Sequence, residues 1–126
     1  RFLIDALETG EKEDETRLIL SNLYLNEEMY EEAIEVIEGL ENPDHPYALW
    51  NLAQAHYHLE DYHLAAKYYD EASDLLSEDA EFLKEYGLFL REEGRLREAK
   101  TILTTYLQFE PGDLEALSIL EDLLER

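Results

Sequence analysis

Three alanines constrain this chain more than any other feature. Ala33, Ala65 and Ala99 recur at a nearly constant interval of roughly 33 residues. Each lies in a similar segment: "EEMYEEAIEVIEGL" (27–40), "LEDYHLAAKYYDEA" (59–72) and "EEGRLREAKTILTTYL" (92–107). A period of this length marks a repeated supersecondary unit, and one such unit cannot bury its apolar face alone. Upstream of each alanine lies a second run: "TRLILSNLYL" (16–25), "YALWNLAQAHYHL" (47–59) and "EFLKEYGLFLREEG" (81–94). There Leu20–Ser21, Leu52–Ala53 and Tyr86–Gly87 align as large–small pairs, with Tyr24, His56 and Leu90 three residues after the small one. Leu49, Leu52, Ala53 and His56 share one helical face, as do Leu83, Tyr86, Gly87 and Leu90.

The punctuation agrees. The 5 glycines and 3 prolines fall mostly between the periodic runs. "ENPDHP" (41–46) and "EPGD" (110–113) end one helix pair and open the next, because proline lacks an N–H and disfavours helix in the residue before it. "LSED" (76–79) is a softer boundary, where Ser77 is the expected N-cap. Within the pairs the turns are short: "NEE", "LED" and "EEG". With 45% hydrophobic residues the chain can build a core. Ala53, Ala65 and Ala72 let antiparallel helices approach closely, while Tyr62 and Tyr69 are expected to fill the spaces between neighbouring repeats.

Charge and composition exclude several functions. Acidic residues number 32 against 10 Lys plus Arg, a formal net charge of −22. Such a charge repels nucleic acid and anionic membrane surfaces and favours basic partners. There is no cysteine, so no disulfide framework and no thiolate metal site, as befits a cytoplasmic protein. No apolar run approaches the ~20 residues that span a bilayer. The chain opens in mid-pattern with "RFLIDALETG", as a piece of a longer array would.

The pattern of large–small–xx–aromatic, then alanine in a second helix, then proline near the repeat end, resembles the tetratricopeptide repeat. The resemblance covers nearly the whole chain and is fullest at Trp50, Leu52, Ala53, Tyr62, Ala65, Tyr69 and Ala72. Tyr86, Gly87, Ala99 and Pro111 carry it in the next repeat. The first repeat departs most, with Ser21 as its small residue, Leu40 for the usual alanine and a shortened end. The resemblance implies an all-α, right-handed superhelical solenoid of antiparallel helix pairs. Full repeats would span 14–45, 46–79 and 80–113. Residues 1–10 would be the last helix of a preceding repeat and 114–126 the first helix of a following one.

In tetratricopeptide arrays the first helix of each repeat lines a concave groove. By that resemblance the groove receives Leu18, Asn22, Leu25 and Asn26, then Tyr47, Trp50, Asn51, Gln54, Tyr57 and His58. From the third repeat come Glu81, Lys84, Leu88, Arg91 and Glu92, and from the last helix Ser118, Asp122 and Glu125. Aromatic anchors beside amides suit an extended peptide, since rings give contact area and amides bond its backbone. Affinity is assigned to Trp50, Tyr57 and Leu88, and orientation to Asn22, Asn51, Gln54 and Arg91. Some tetratricopeptide domains grip a C-terminal carboxylate with two Lys, an Arg and two Asn. Here Asn22 and Asn51 hold the amide places, but Leu18, Glu81 and Glu85 hold the cationic ones, so this clamp is not expected. Lys84 is expected to pair with Glu81 or Glu85. His56, His58 and His63 do not converge as zinc ligands, because residues two apart on a helix point apart; His56 is expected in the core. No phosphate loop or nucleophile elbow is present.

The sequence thus points to a non-catalytic scaffold or adaptor, without cofactor or metal, binding a protein or peptide segment. A rival reading is a peptide-sensing domain of a larger, transcriptional regulator. A third is a purely structural array that self-associates through its open repeat ends.

Overall fold

The computed structural model describes residues 10–125. The helix expected over residues 1–10 lies outside them, apart from Gly10, which opens the first helix. The described residues form seven α-helices and no strand. In chain order these are α1 (Gly10–Asn26), α2 (Tyr30–Glu38), α3 (Pro46–His58), α4 (Tyr62–Ser73), α5 (Ala80–Glu92), α6 (Leu96–Phe109) and α7 (Leu114–Leu124). Packing divides the chain into two compact units, residues 1–72 and 73–126.

The helix starts follow a fixed spacing. His45, Asp79 and Asp113, evenly placed along the chain, are the N-caps of α3, α5 and α7. His45 Nδ1 accepts from the Tyr47 N–H, and Pro46 takes the first helical position, where a missing N–H costs nothing. Asp79 and Asp113 accept from the N–H groups of Phe82 and Ala116, both at 3.1 Å. The cap is therefore Asp79 and not the expected Ser77. Asp79 stands three residues before Phe82, the reach a capping carboxylate needs, and Ser77 comes too early in the chain.

The turns inside the pairs repeat as well. Glu28 (φ 60°), Glu60 (φ 63°) and Gly94 (φ 79°) all adopt the left-handed conformation. In each turn the following N–H reaches back across the turn to a helix carbonyl: Met29 to Tyr24, Asp61 to His56 and Arg95 to Leu90, at 2.8–2.9 Å. This is the Schellman arrangement, which satisfies carbonyls left over at a helix end. Of these three turns, the third alone uses glycine. A side chain in this conformation costs roughly 1–2 kcal/mol, and a carboxylate near a helix C-terminus is also unfavourable. Glu60→Gly is therefore expected to stabilise the chain by about 1 kcal/mol, and Gly94→Ala to destabilise it by a similar amount. Thermal melting of the two variants checks the opposite signs.

In the first unit, Ile37, Leu40, Ala48 and Leu52 form the core, with Leu18, Ile34 and Tyr68 packed against it. Ala33 and Ala65 have no exposed surface. The α2 helix has only 9 residues, against 12 in α4 and 14 in α6. Asp14 secures the loop that follows, accepting from the N–H groups of Glu41 (2.8 Å) and Asn42 (3.0 Å). Tyr69 is 2% exposed, as an inter-helix filler should be. Tyr62 instead stands 43% exposed, its ring meeting that of Tyr57 edge-to-face at 5.6 Å. It is the first residue of α4, beside the Glu60 turn, where the chain is still at the surface.

In the second unit, α5 and α6 cross at Gly87. A methyl added there would lie 2.7 Å from Leu103 Cδ2 and 2.9 Å from its Cγ. Ala99, Leu103, Leu90 and Phe82 have no exposed surface, and Tyr86 stacks on Phe82 at 5.4 Å. No helix among the described residues is long and apolar enough to cross a membrane.

Candidate functional site

Two faces hold most of the residues singled out from sequence, one in each unit. The first is built on α1 and α3. Trp50, Gln54 and Tyr57 are half-buried on α3, and His58 is exposed at its last turn. Their helical spacing from Trp50 (i+4, i+7 and i+8) places them along one stripe. Trp50 stacks on Tyr47 at a centroid distance of 6.1 Å. At the other end Tyr57 meets His58 edge-on at 5.4 Å, and His58 stacks on Tyr30 at 4.7 Å. Tyr30, Tyr57, His58 and Tyr62 therefore form a continuous chain of rings. Tyr30 was not legible as part of this face, because it opens α2, a different helix from the one that carries His58.

Asn51 takes a different place from the one expected. It is 5% exposed, and its amide nitrogen donates to Ser21 Oγ and to Asn22 Oδ1, both at 2.9 Å. The Ser21 hydroxyl donates onward to the Leu18 carbonyl at 2.7 Å. Both Asn51 amide hydrogens are committed, so this residue ties α3 to α1 and holds Asn22 in place; it does not offer its N–H groups to a ligand. Leu18 also differs, packing half-buried against the core cluster. Leu25 is half-buried, while Asn22 and Asn26 are exposed. His56 is half-buried and stacks on Tyr68 at 5.5 Å, partly fulfilling its expected core position.

The second face belongs to α5 and the end of α6. Lys84 Nζ lies 2.8 Å from Asp113 Oδ2 and 2.9 Å from Glu115 Oε1. These two partners replace the expected Glu81 and Glu85, because the start of α7 brings its carboxylates to the lysine across the helix pair. The Tyr106 hydroxyl donates to the same Asp113 oxygen at 2.5 Å. Asp113 caps α7 and joins it to α5 and α6. Lys84, then Tyr106, then the Ala116 N–H hold its carboxyl well below the usual carboxylate range. The hydrogen bonds that Lys84 donates to Asp113 and Glu115 hold its ammonium charged above its ordinary range, and the bond to Asp113 raises the Tyr106 phenol.

A carboxylate with a depressed folded pKa adds stability above its unfolded value near about 3.9, and that stability is lost as pH falls. A lysine with a raised folded pKa adds stability below about 10.4, lost as pH rises. Asparagine can keep the cap but not the charge. The melting-temperature deficit of Asp113→Asn is therefore expected to stay constant between about pH 5 and pH 9 and to shrink below about pH 4. Comparing variant with wild type cancels the general relief of repulsion that acid brings to a chain of charge −22. A deficit that grew in acid would contradict this assignment.

Beside this network lies an open cleft of about 420 Å³, lined by Ala80, Glu81, Lys84, Glu85, Leu88, Tyr106 and Glu110. Arg91 is exposed in the last turn of α5, where a cation suits the helix dipole. Among the described residues no group of three or more His, Cys, Asp or Glu is placed to hold a metal ion.

Evenly spaced caps, short left-handed turns and small residues at helix crossings define the class as a tetratricopeptide repeat protein. The family described as YpiA-like, C-terminal tetratricopeptide repeats matches residues 46–113, and the chain belongs to it. A search of curated proteins gave no match. Among solved structures, the first tetratricopeptide domain of Spaghetti (RPAP3), bound to the HSP90 peptide SRMEEVD, is similar to this chain. The identity is 25% and the TM-score 0.72, over 89% of this chain and 95% of that one.

Proposed function

We propose that this chain is a non-catalytic protein-interaction module of a scaffold or adaptor, working in the cytoplasm and receiving an extended segment of a basic partner protein. The aromatic stripe on α3 carries the reading: Trp50 and Tyr57 offer ring surface along one helix face, and Asn22 is exposed on α1. The similar solved domain is bound to a peptide. That peptide is acidic, whereas by the family resemblance Leu18, Glu81 and Glu85 would take the places where a carboxylate clamp needs cations. The segment recognised here is accordingly of the opposite charge, drawn in by the acidic surface and held by the rings.

Panning a random linear-peptide library at high salt tests this. Salt screens the general attraction of the acidic surface and leaves packing contacts. Wild type is expected to enrich a sequence family that a folded Trp50→Ala, Tyr57→Ala double variant does not retain. Equal enrichment by both proteins would contradict the assignment of the face.

A further inference from the structure

We propose that the cleft in the second unit is a receptor for one arginine side chain of the partner. This rests on the protein-binding function proposed above and assigns it a second point of recognition. The cleft has the two parts such a side chain needs. Ala80, Leu88 and the Tyr106 ring give apolar wall for the methylene stem. Glu81 stands on α5, and Glu110 comes from the end of α6. Two acidic residues outside the lysine network thus border a space of about 420 Å³.

The cation already present does not cancel them. Lys84 lies between Asp113 and Glu115, which together carry more negative charge than it has positive. The lysine charge is therefore matched by carboxylates other than Glu81 and Glu110. An anionic or uncharged polar group would meet repulsion or gain little there. A guanidinium suits it: the planar fork can bond two carboxylates at once and lie against an aromatic ring, which a compact ammonium does less well.

The test is a titration of the isotope-labelled chain, followed by amide NMR, with acetyl-Leu-Arg-Leu-amide and its citrulline counterpart. Citrulline keeps the shape of arginine and removes the charge. The arginine peptide is expected to shift the amides of Glu81, Lys84, Leu88 and Glu110 saturably, and the citrulline peptide is not. Glu81→Gln with Glu110→Gln is expected to weaken binding about tenfold. A control with the same change in net charge, Glu31→Gln with Glu35→Gln on α2, is expected to leave binding unchanged. Both pairs are on exposed surface, so folding is retained and melting curves verify it. Equal weakening by the two pairs, or equal binding of citrulline, would overturn the proposal. Its failure is distinguishable from failure of the α1–α3 face. Trp50→Ala removes the library binders and leaves the tripeptide shifts at Glu81 and Glu110 in place.

Discussion

Replacing Gly87 with leucine is expected to destabilise the chain by about 3 kcal/mol and lower its melting temperature by roughly 10 °C. The first added carbon would already sit 2.7 Å from Leu103 Cδ2, well inside contact distance. Leu103 has no exposed surface, so it cannot swing out to solvent. The α5 and α6 helices must then separate or both side chains must leave their preferred rotamers. Alanine at Gly87 is milder, since its better helix propensity offsets part of the clash by about 1 kcal/mol. Leu103→Ala alone opens a cavity and costs about 2–5 kcal/mol. The two changes fill each other's fault, so the double variant is expected to lose clearly less than the sum. Strict additivity in denaturant unfolding would show that Gly87 and Leu103 do not meet as described.

Asn51→Asp is the second large effect expected. It replaces a buried amide donor by a carboxylate facing the Asn22 oxygen and a Ser21 hydroxyl already donating elsewhere. An unpaired buried charge costs about 3–5 kcal/mol, and here it is added to a chain with no surplus of cations. The loss should be largest at neutral pH. Protonation restores one O–H donor to the same pocket, so stability should recover as pH falls toward about 5. Melting curves across this range read the effect directly. An Asn51→Asp loss independent of pH would mean that the residue is not buried in this network.

How much was legible in the sequence depended on the range over which each residue acts. Ala33, Ala65 and Ala99 were readable because close helix packing demands a small residue at a fixed period. Gly94 was readable because its turn favours the residue that tolerates positive φ. Glu28 and Glu60 were not, because glutamate carries no such signal and the back-bond across the turn enforces the conformation. Asn51 looked like a groove amide because its partners Ser21 and Asn22 belong to the preceding repeat, on α1. Lys84 looked locally paired because Glu81 and Glu85 are near in sequence, while the α7 cap that claims it is distant. Class and periodicity were thus written locally, whereas the detail of both faces depended on which side chains distant helices bring together.

Trp50 is the chain's one tryptophan and stands on the proposed binding face, so its emission reports occupancy without a label. The deciding measurement is a titration of that emission, with acrylamide quenching, by a peptide enriched in the high-salt library selection. If a segment lies across α1 and α3, the emission shifts to the blue and quenching falls in step with binding. If the peptide binds while Trp50 keeps its emission and its accessibility, the segment lies elsewhere and the α3 aromatic stripe is not the binding face.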